Sequence, residues 1–192
     1  MKKRLSFIML MLVAVVMIAG AENHDKRMKQ IRQAYADRLE MMKIRPYGED
    51  MPFNEASVDV AKNLPGTGLY ERHDKFYFTQ EQYSADGSMC SQLYFMTSKE
   101  TYVMGIHIWY WEFLWDSMEG DPMFALLVRQ MGDSKQEFRF YFENGKVIKV
   151  VPDVKKWPSI DDDLSIAPFK SPADVLSLMN AKQELFKTLV NE

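Results

Sequence analysis

The stretch Thr101–Asp116 (TYVMGIHIWYWEFLWD) limits the fold more than any other part of the chain. It is crowded with aromatic and β-branched residues and holds no proline and one glycine, so it favours a strand over a helix. Side chains alternate between the two faces of a strand. Val103, Gly105, His107, Trp109, Trp111, Phe113 and Trp115 share one face; Tyr102, Met104, Ile106, Ile108, Tyr110, Glu112 and Leu114 share the other. Both faces are mostly apolar, so the sheet containing this strand must be covered on both sides. At about 3.3 Å per residue the stretch would run roughly 50 Å, well beyond an ordinary strand. A bend, bulge or break is therefore expected, and Gly105 is the natural place for it.

Two helices can supply the cover. Over residues 24–45, Met28, Ile31, Tyr35, Leu39 and Met42 recur at three- and four-residue steps. Arg45-Pro46 ends that helix, because the residue before a proline is pushed out of the helical region. Near the C-terminus, Ser171 is a good N-cap, Pro172 suits the first helical position and Asp174 lies near the positive helix end. Val175, Leu178, Met179, Leu185, Phe186 and Leu189 form the apolar stripe that follows. A short further helix is expected from Asn54, its cap, to Leu64, with Pro65-Gly66-Thr67-Gly68 stopping it.

From Asp74 the period switches to two, and six strands are expected over 74–84, 89–97, 101–116, 122–131, 136–143 and 146–151. Asp86-Gly87 and Asn144-Gly145 are the strongest hairpin signals, since both dipeptides accept the positive φ of tight primed turns. Glu119-Gly120-Asp121-Pro122 and Gly132-Asp133-Ser134 are looser turns. Short links make consecutive strands neighbours. Residues 152–170, with Pro152, Pro158 and Pro168, look irregular. The expected fold is α+β: an N-terminal helix, a curved six-stranded antiparallel meander and a C-terminal helix, forming one domain over 22–192.

Residues 1–21 are expected to stand outside that domain as a secretory signal peptide. Lys2, Lys3 and Arg4 precede an apolar run from Leu5 to Ile18, and Ala19-Gly20-Ala21 fits the small-residue cleavage pattern. Cleavage before Glu22 would place the protein in the periplasm or outside the cell, with no stable membrane span. Without those three cations, 21 basic side chains face 27 acidic ones, a net charge of −6. A net acidic chain without a basic cluster argues against a nucleic-acid partner. Cys90 is the only cysteine, so no disulfide can form within the chain; it is expected to be a small buried hydrophobe.

Several segments resemble a group of exported proteins of unknown function from Bacteroidetes-type bacteria. They are Ile31-Arg32-Gln33-Ala34-Tyr35-Ala36, Pro65-Gly66-Thr67-Gly68, Leu93-Tyr94-Phe95, Glu112-Phe113-Leu114-Trp115-Asp116 and Arg139-Phe140-Tyr141-Phe142-Glu143-Asn144-Gly145-Lys146. The resemblance spans residues 30 to 150 or so. It implies export and a helix-plus-sheet domain, and it brings no activity.

The chemistry is sparse. No G-x-S-x-G elbow, H-E-x-x-H pair, Walker loop or G-x-G-x-x-G fingerprint occurs. Adjacent His73 and Asp74 would point to opposite faces of a strand, and His24 sits in a polar stretch. His107 shares its face with Trp109 and Trp111, as either a satisfied, partly buried histidine or the polar group of an aromatic cavity. Glu112 lies in the most apolar part of the chain; if buried it must be protonated or paired, with Arg129 or Arg139 for example, and otherwise it is exposed at a sheet edge. Asp116 shares its face but sits about 13 Å along the strand, too far for paired-carboxylate chemistry. Asp161-Asp162-Asp163 lacks the spacing of a calcium loop, so no metal or cofactor is expected. Trp157, in the polar Lys155-Lys156-Trp157-Pro158, is a binding candidate if exposed.

The expected function is a non-catalytic domain that binds a ligand or a protein, with His107, Trp109, Trp111, Glu112 and Trp157 as candidate contacts and no catalytic residue assigned. The alternative is a hydrolase with a site near His107 and Glu112. The aromatic face is either a hollow or core, and close packing favours core, filled by the N-terminal helix through Tyr35, Leu39 and Met42.

Overall fold

Seven strands, not six, build the sheet in the computed structural model, which describes residues 24–43, 53–66, 68–82, 89–102, 107–116, 120–152 and 171–190. They are β1 (Asn54–Leu64), β2 (Gly68–Gln82), β3 (Met89–Tyr102), β4 (His107–Trp115), β5 (Pro122–Met131), β6 (Ser134–Glu143) and β7 (Lys146–Val151). Each is antiparallel to the next in the chain and hydrogen-bonded to it. Helix α1 covers residues 24–42 and helix α2 spans Pro172–Val190. The expected α+β class therefore holds.

The extra strand is the segment expected to be a helix. In β1, half-buried Ala56, Val58 and Val60 alternate with exposed Ser57, Asp59 and Ala61. That is a strand's period of two, and it outweighs the capping signal of Asn54. The whole strand pairs with β2, from Asn54↔Phe78 to Leu64↔Gly68. Pro65-Gly66 thus opens a hairpin connection, with Gly66 at φ 79°, rather than ending a helix.

The stretch Thr101–Asp116 is not one strand. Thr101 and Tyr102 end β3, His107 begins β4, and Tyr102 lies opposite His107. β3 and β4 are therefore two antiparallel strands; residues 103–106, with Gly105, and the expected Asp86-Gly87 turn lie outside the described residues. The polar Ser98-Lys99-Glu100, expected between strands, instead pairs within β3. Ser98 and Glu100 can sit there because acceptors and donors on the same face satisfy them. β5 and β7 have the expected limits. Asn144 and Gly145 have φ of 49° and 67°, the two positive values a type I′ turn requires.

Alternation gives the sheet two apolar faces. One carries Phe76, Phe78, Met96, Trp109, Trp111, Phe113, Trp115, Leu127, Phe138, Phe140 and Phe142, closed by Val175, Met179 and Phe186 of α2. The other carries Phe95, Leu114, Phe124 and Tyr141, closed by Ile31 together with Met28, Tyr35, Leu39 and Met42 of α1. The tryptophan face is therefore covered by α2, and α1 lies on the opposite face from the one expected. Register explains this: Tyr35, Leu39 and Met42 meet the Leu114 side of β4, one residue out of phase with Trp109 and Trp111.

At the start of α2, which begins after Ser171 as expected, the backbone N–H of Ser171 donates to the Asp174 carboxylate at 2.7 Å, the reach-back half of a capping box. Cys90 is exposed, not buried, so it contributes nothing to the core. Among the described residues no helix is long and apolar enough to cross a membrane. Residues 1–21, Arg45-Pro46, Trp157 and Asp161-Asp162-Asp163 lie outside the described residues.

Candidate functional site

Strand register sets side chains of β2, β3 and β4 in rows on the α2 face. Phe76, Met96 and Phe113 form one apolar row. The next row is Asp74, Ser98 and Trp111, and the one beyond is Arg72, Glu100 and Trp109. Tyr102 and His107 follow, with the Tyr70 ring 4.8 Å from that of Tyr102. The face thus changes from closed hydrocarbon to a polar and aromatic end over about three rows.

Asp74 is fully buried where the change occurs. One carboxylate oxygen accepts from Ser98 Oγ at 2.5 Å and the other from Lys182 Nζ at 2.7 Å. Lys182 reaches down from α2 and is 5% exposed. Arg72 Nε stands 3.1 Å from the same Asp74 oxygen but is poorly aligned for a hydrogen bond, so it adds charge rather than a directed contact. Glu100 accepts from the Tyr102 hydroxyl and, at 3.4 Å, from that of Tyr70. Two cations and two anions share the cluster, so it is electrically balanced.

The protonation equilibria follow from burial. Desolvation pulls Lys182 below the ordinary lysine value, and the attraction of Asp74 offsets part of that. Desolvation, then the Glu100 charge, pushes the Tyr70 hydroxyl up to about 12. Tyr102 is raised further by the same two causes.

The opposite face has its own polar contact. Glu112 accepts from the hydroxyls of Tyr35 on α1 and Tyr110 on β4, the latter at 2.8 Å. The expected arginine partners do not serve it. Arg139 pairs with Glu137 at 2.5 Å, and Arg129 lies opposite Trp109, on the α2 side. Burial, then the Glu112 contact, holds both tyrosine hydroxyls well above their usual range.

Of the residues singled out from sequence, His107, Trp109 and Trp111 share the α2 face. His107 is half-buried, Trp109 is 5% exposed and Trp111 is fully buried. Glu112 leaves the sheet on the other side and is not brought to them. His73 is exposed beside Asp59 at 2.7 Å and turned away from Asp74, as strand alternation requires. His24 is exposed, 3.4 Å from Glu143. Sequence reasoning passed over Ser98 and Lys182 and weighed Asp74 only beside His73. The signal for Lys182 was its place in the stripe Val175, Met179, Lys182, Phe186, at helical spacing. Among the described residues no three ligating side chains gather as a metal site. Set against family models, curated proteins and solved structures, the chain matches none of them.

Proposed function

We propose that the protein is an exported, non-catalytic domain that binds a small ligand or a protein partner, and that the polar end of the α2 face is where it binds. One observation carries the reading. Half-buried Arg72, Glu100 and His107 stand beside an aromatic floor of Tyr70, Tyr102 and Trp109, while beyond the buried Asp74 and Ser98 the row Phe76, Met96 and Phe113 is closed apolar packing. Aromatic surface with a few convergent polar groups is the usual make-up of a ligand site. The Arg72 guanidinium can take a carboxylate or phosphate through two parallel hydrogen bonds, and the Tyr70 and Tyr102 rings offer a surface for stacking. Residues 1–21 and the resemblance to exported proteins support the location. The alternative, a hydrolase near His107 and Glu112, would need either residue to work without the other, because they leave the sheet on opposite faces.

The test is a melting screen against neutral disaccharides, dicarboxylates, inorganic phosphate and short peptides, run on the wild type, Arg72→Gln and His107→Gln. At least one probe class is expected to raise the wild-type melting temperature and to lose that effect in the variants. Equal shifts in all three proteins, or none in any, would rule out this face.

A further inference from the structure

Among the described residues β1 and β7 are the two edges of the sheet. The β7 edge is short, six residues, follows a register shift at Tyr141/Phe142, and has Val147 and Val150 packed against the core that α2 closes. The β1 edge is different. It is eleven residues long, has no proline, and keeps an unbroken register with β2. Among the described residues it pairs with β2 alone. A long regular edge presents a row of unused backbone donors and acceptors, which proteins ordinarily blunt with charges, prolines, bulges or short strands; of these β1 has only charges, Glu55, Asp59 and Lys62, so the register must keep like ones apart.

We propose that β1 is a self-association edge: two copies of this chain pair β1 with β1 antiparallel about a twofold axis, joining their sheets. The sequence of the strand is self-complementary in one register. Centred on Val58, the pairing sets Val58 against Val58, Ala56 against Val60 and Asn54 against Lys62 on the α2 face. On the α1 face it sets Ser57 against Asp59 and Glu55 against Ala61. No like charges meet, and half-buried Ala56, Val58 and Val60 face one another. Neighbouring registers are worse. Centring on Ser57 sets Glu55 against Asp59, centring on Asp59 sets that carboxylate against its own copy, and centring on Val60 sets Val58 against Lys62. Like charges directly opposite one another are unfavourable in a sheet. An isologous pairing makes every contact twice. Nine residues of each strand overlap in the chosen register, enough for roughly nine backbone hydrogen bonds. This inference is independent of the proposed binding face.

Sedimentation equilibrium of the full chain, purified from the cells that produce it, tests the proposal through Ala61. That residue is exposed, so its substitution spares the core, and the register sets it opposite the partner's Glu55. The wild type is expected to be a reversible dimer. Ala61→Lys should tighten it, and Ala61→Glu loosen it, each on the order of 2- to 30-fold in dissociation constant, from two cross-strand charge pairs. Melting curves of both variants check that the monomer fold is intact. A monomer at every concentration, or a dissociation constant that fails to move in opposite directions in the two variants, overturns the proposal.

Discussion

Asp74→Ala is expected to be among the most damaging single changes in the chain. The carboxylate is fully buried and accepts from Lys182 at 2.7 Å and from Ser98 at 2.5 Å, with the Arg72 charge beside it. Truncation leaves the Lys182 ammonium, 5% exposed, without its acceptor. Removing one partner of a buried ion pair costs about 3–5 kcal/mol. At about 2–4 °C per kcal/mol for a chain of this size, the melting temperature should fall by roughly 6–20 °C. Removing both charges behaves differently. Asp74→Leu with Lys182→Met deletes the desolvation penalty along with the attraction, and should leave stability unchanged or raise it by up to about 4 kcal/mol. Urea titrations of the two singles and the double give the coupling energy directly. There is also a pH signature. Burial lowers the folded-state pKa of Lys182 below 10.5, so the unfolded chain binds the extra proton between those two values. Stability should therefore gain from this group as pH rises through that window toward 10.5, and Lys182→Met should abolish the gain. An Asp74→Ala cost below about 1 kcal/mol, or single costs that simply add in the double, would refute the reasoning, since Lys182 would then be reaching water.

Phe186, 1% exposed with ring centroids 5.9 Å from Phe76 and 5.1 Å from Phe78, should cost about 3–5 kcal/mol on mutation to alanine; an unchanged melt would mean that α2 is not docked there. Gly145→Val forces a β-branched residue to φ 67° with no atom crowding its Cβ, so backbone strain alone should cost on the order of 1–3 kcal/mol, and matching urea midpoints would contradict the turn. Tyr35, Tyr70, Tyr77, Tyr102 and Tyr110 are all held above 10.0, chiefly by burial. Their raised pKa values contribute stability that is present below pH 10 and lost as pH climbs through the folded values, so part of the tyrosinate absorbance should appear only with unfolding. All nine tyrosines ionising together near pH 10 in a chain still folded by circular dichroism would contradict this.

What could be read from the sequence was whatever rests on local periodicity. The apolar stripe of α1, that of α2 apart from Leu189, which is exposed, the limits of β5 and β7 and the Asn144-Gly145 turn follow from spacing and φ preference alone. The errors arose where two local signals competed. Asn54 resembles a cap and Pro65-Gly66 a helix stop, yet Ala56, Val58 and Val60 alternate, and pairing with β2 decides in favour of a strand. Ser98-Lys99-Glu100 falls between the expected strands, because its polarity is visible in sequence while the buried Asp74 and the Tyr102 hydroxyl that satisfy it are not. The assignment of α1 to the tryptophan face failed for a related reason. Periodicity shows that a helix has an apolar side, but not which side of the sheet receives it.

The polar contacts under the helices supply what the stripes leave undetermined. Val175, Met179 and Phe186 bury α2 against the sheet, but an apolar stripe specifies position less sharply than a directed polar contact does. Lys182 makes such a contact. A shift of about 5.4 Å along the helix would strand its ammonium over apolar rows and leave the Asp74 carboxylate without a cation on α2. On the other face the hydroxyl of Tyr35 does the same for α1 by closing on Glu112. Each helix is thus held to the sheet by a broad apolar stripe, which decides that it docks, and by polar contacts to strand residues, Lys182 to Asp74 for α2 and Tyr35 to Glu112 with Arg32 to Tyr141 for α1, which help to decide where. Asp74 and Glu112 lie on opposite faces of the same sheet. A chain with one cysteine and no possible internal disulfide can in this way fix both helices without a covalent tie.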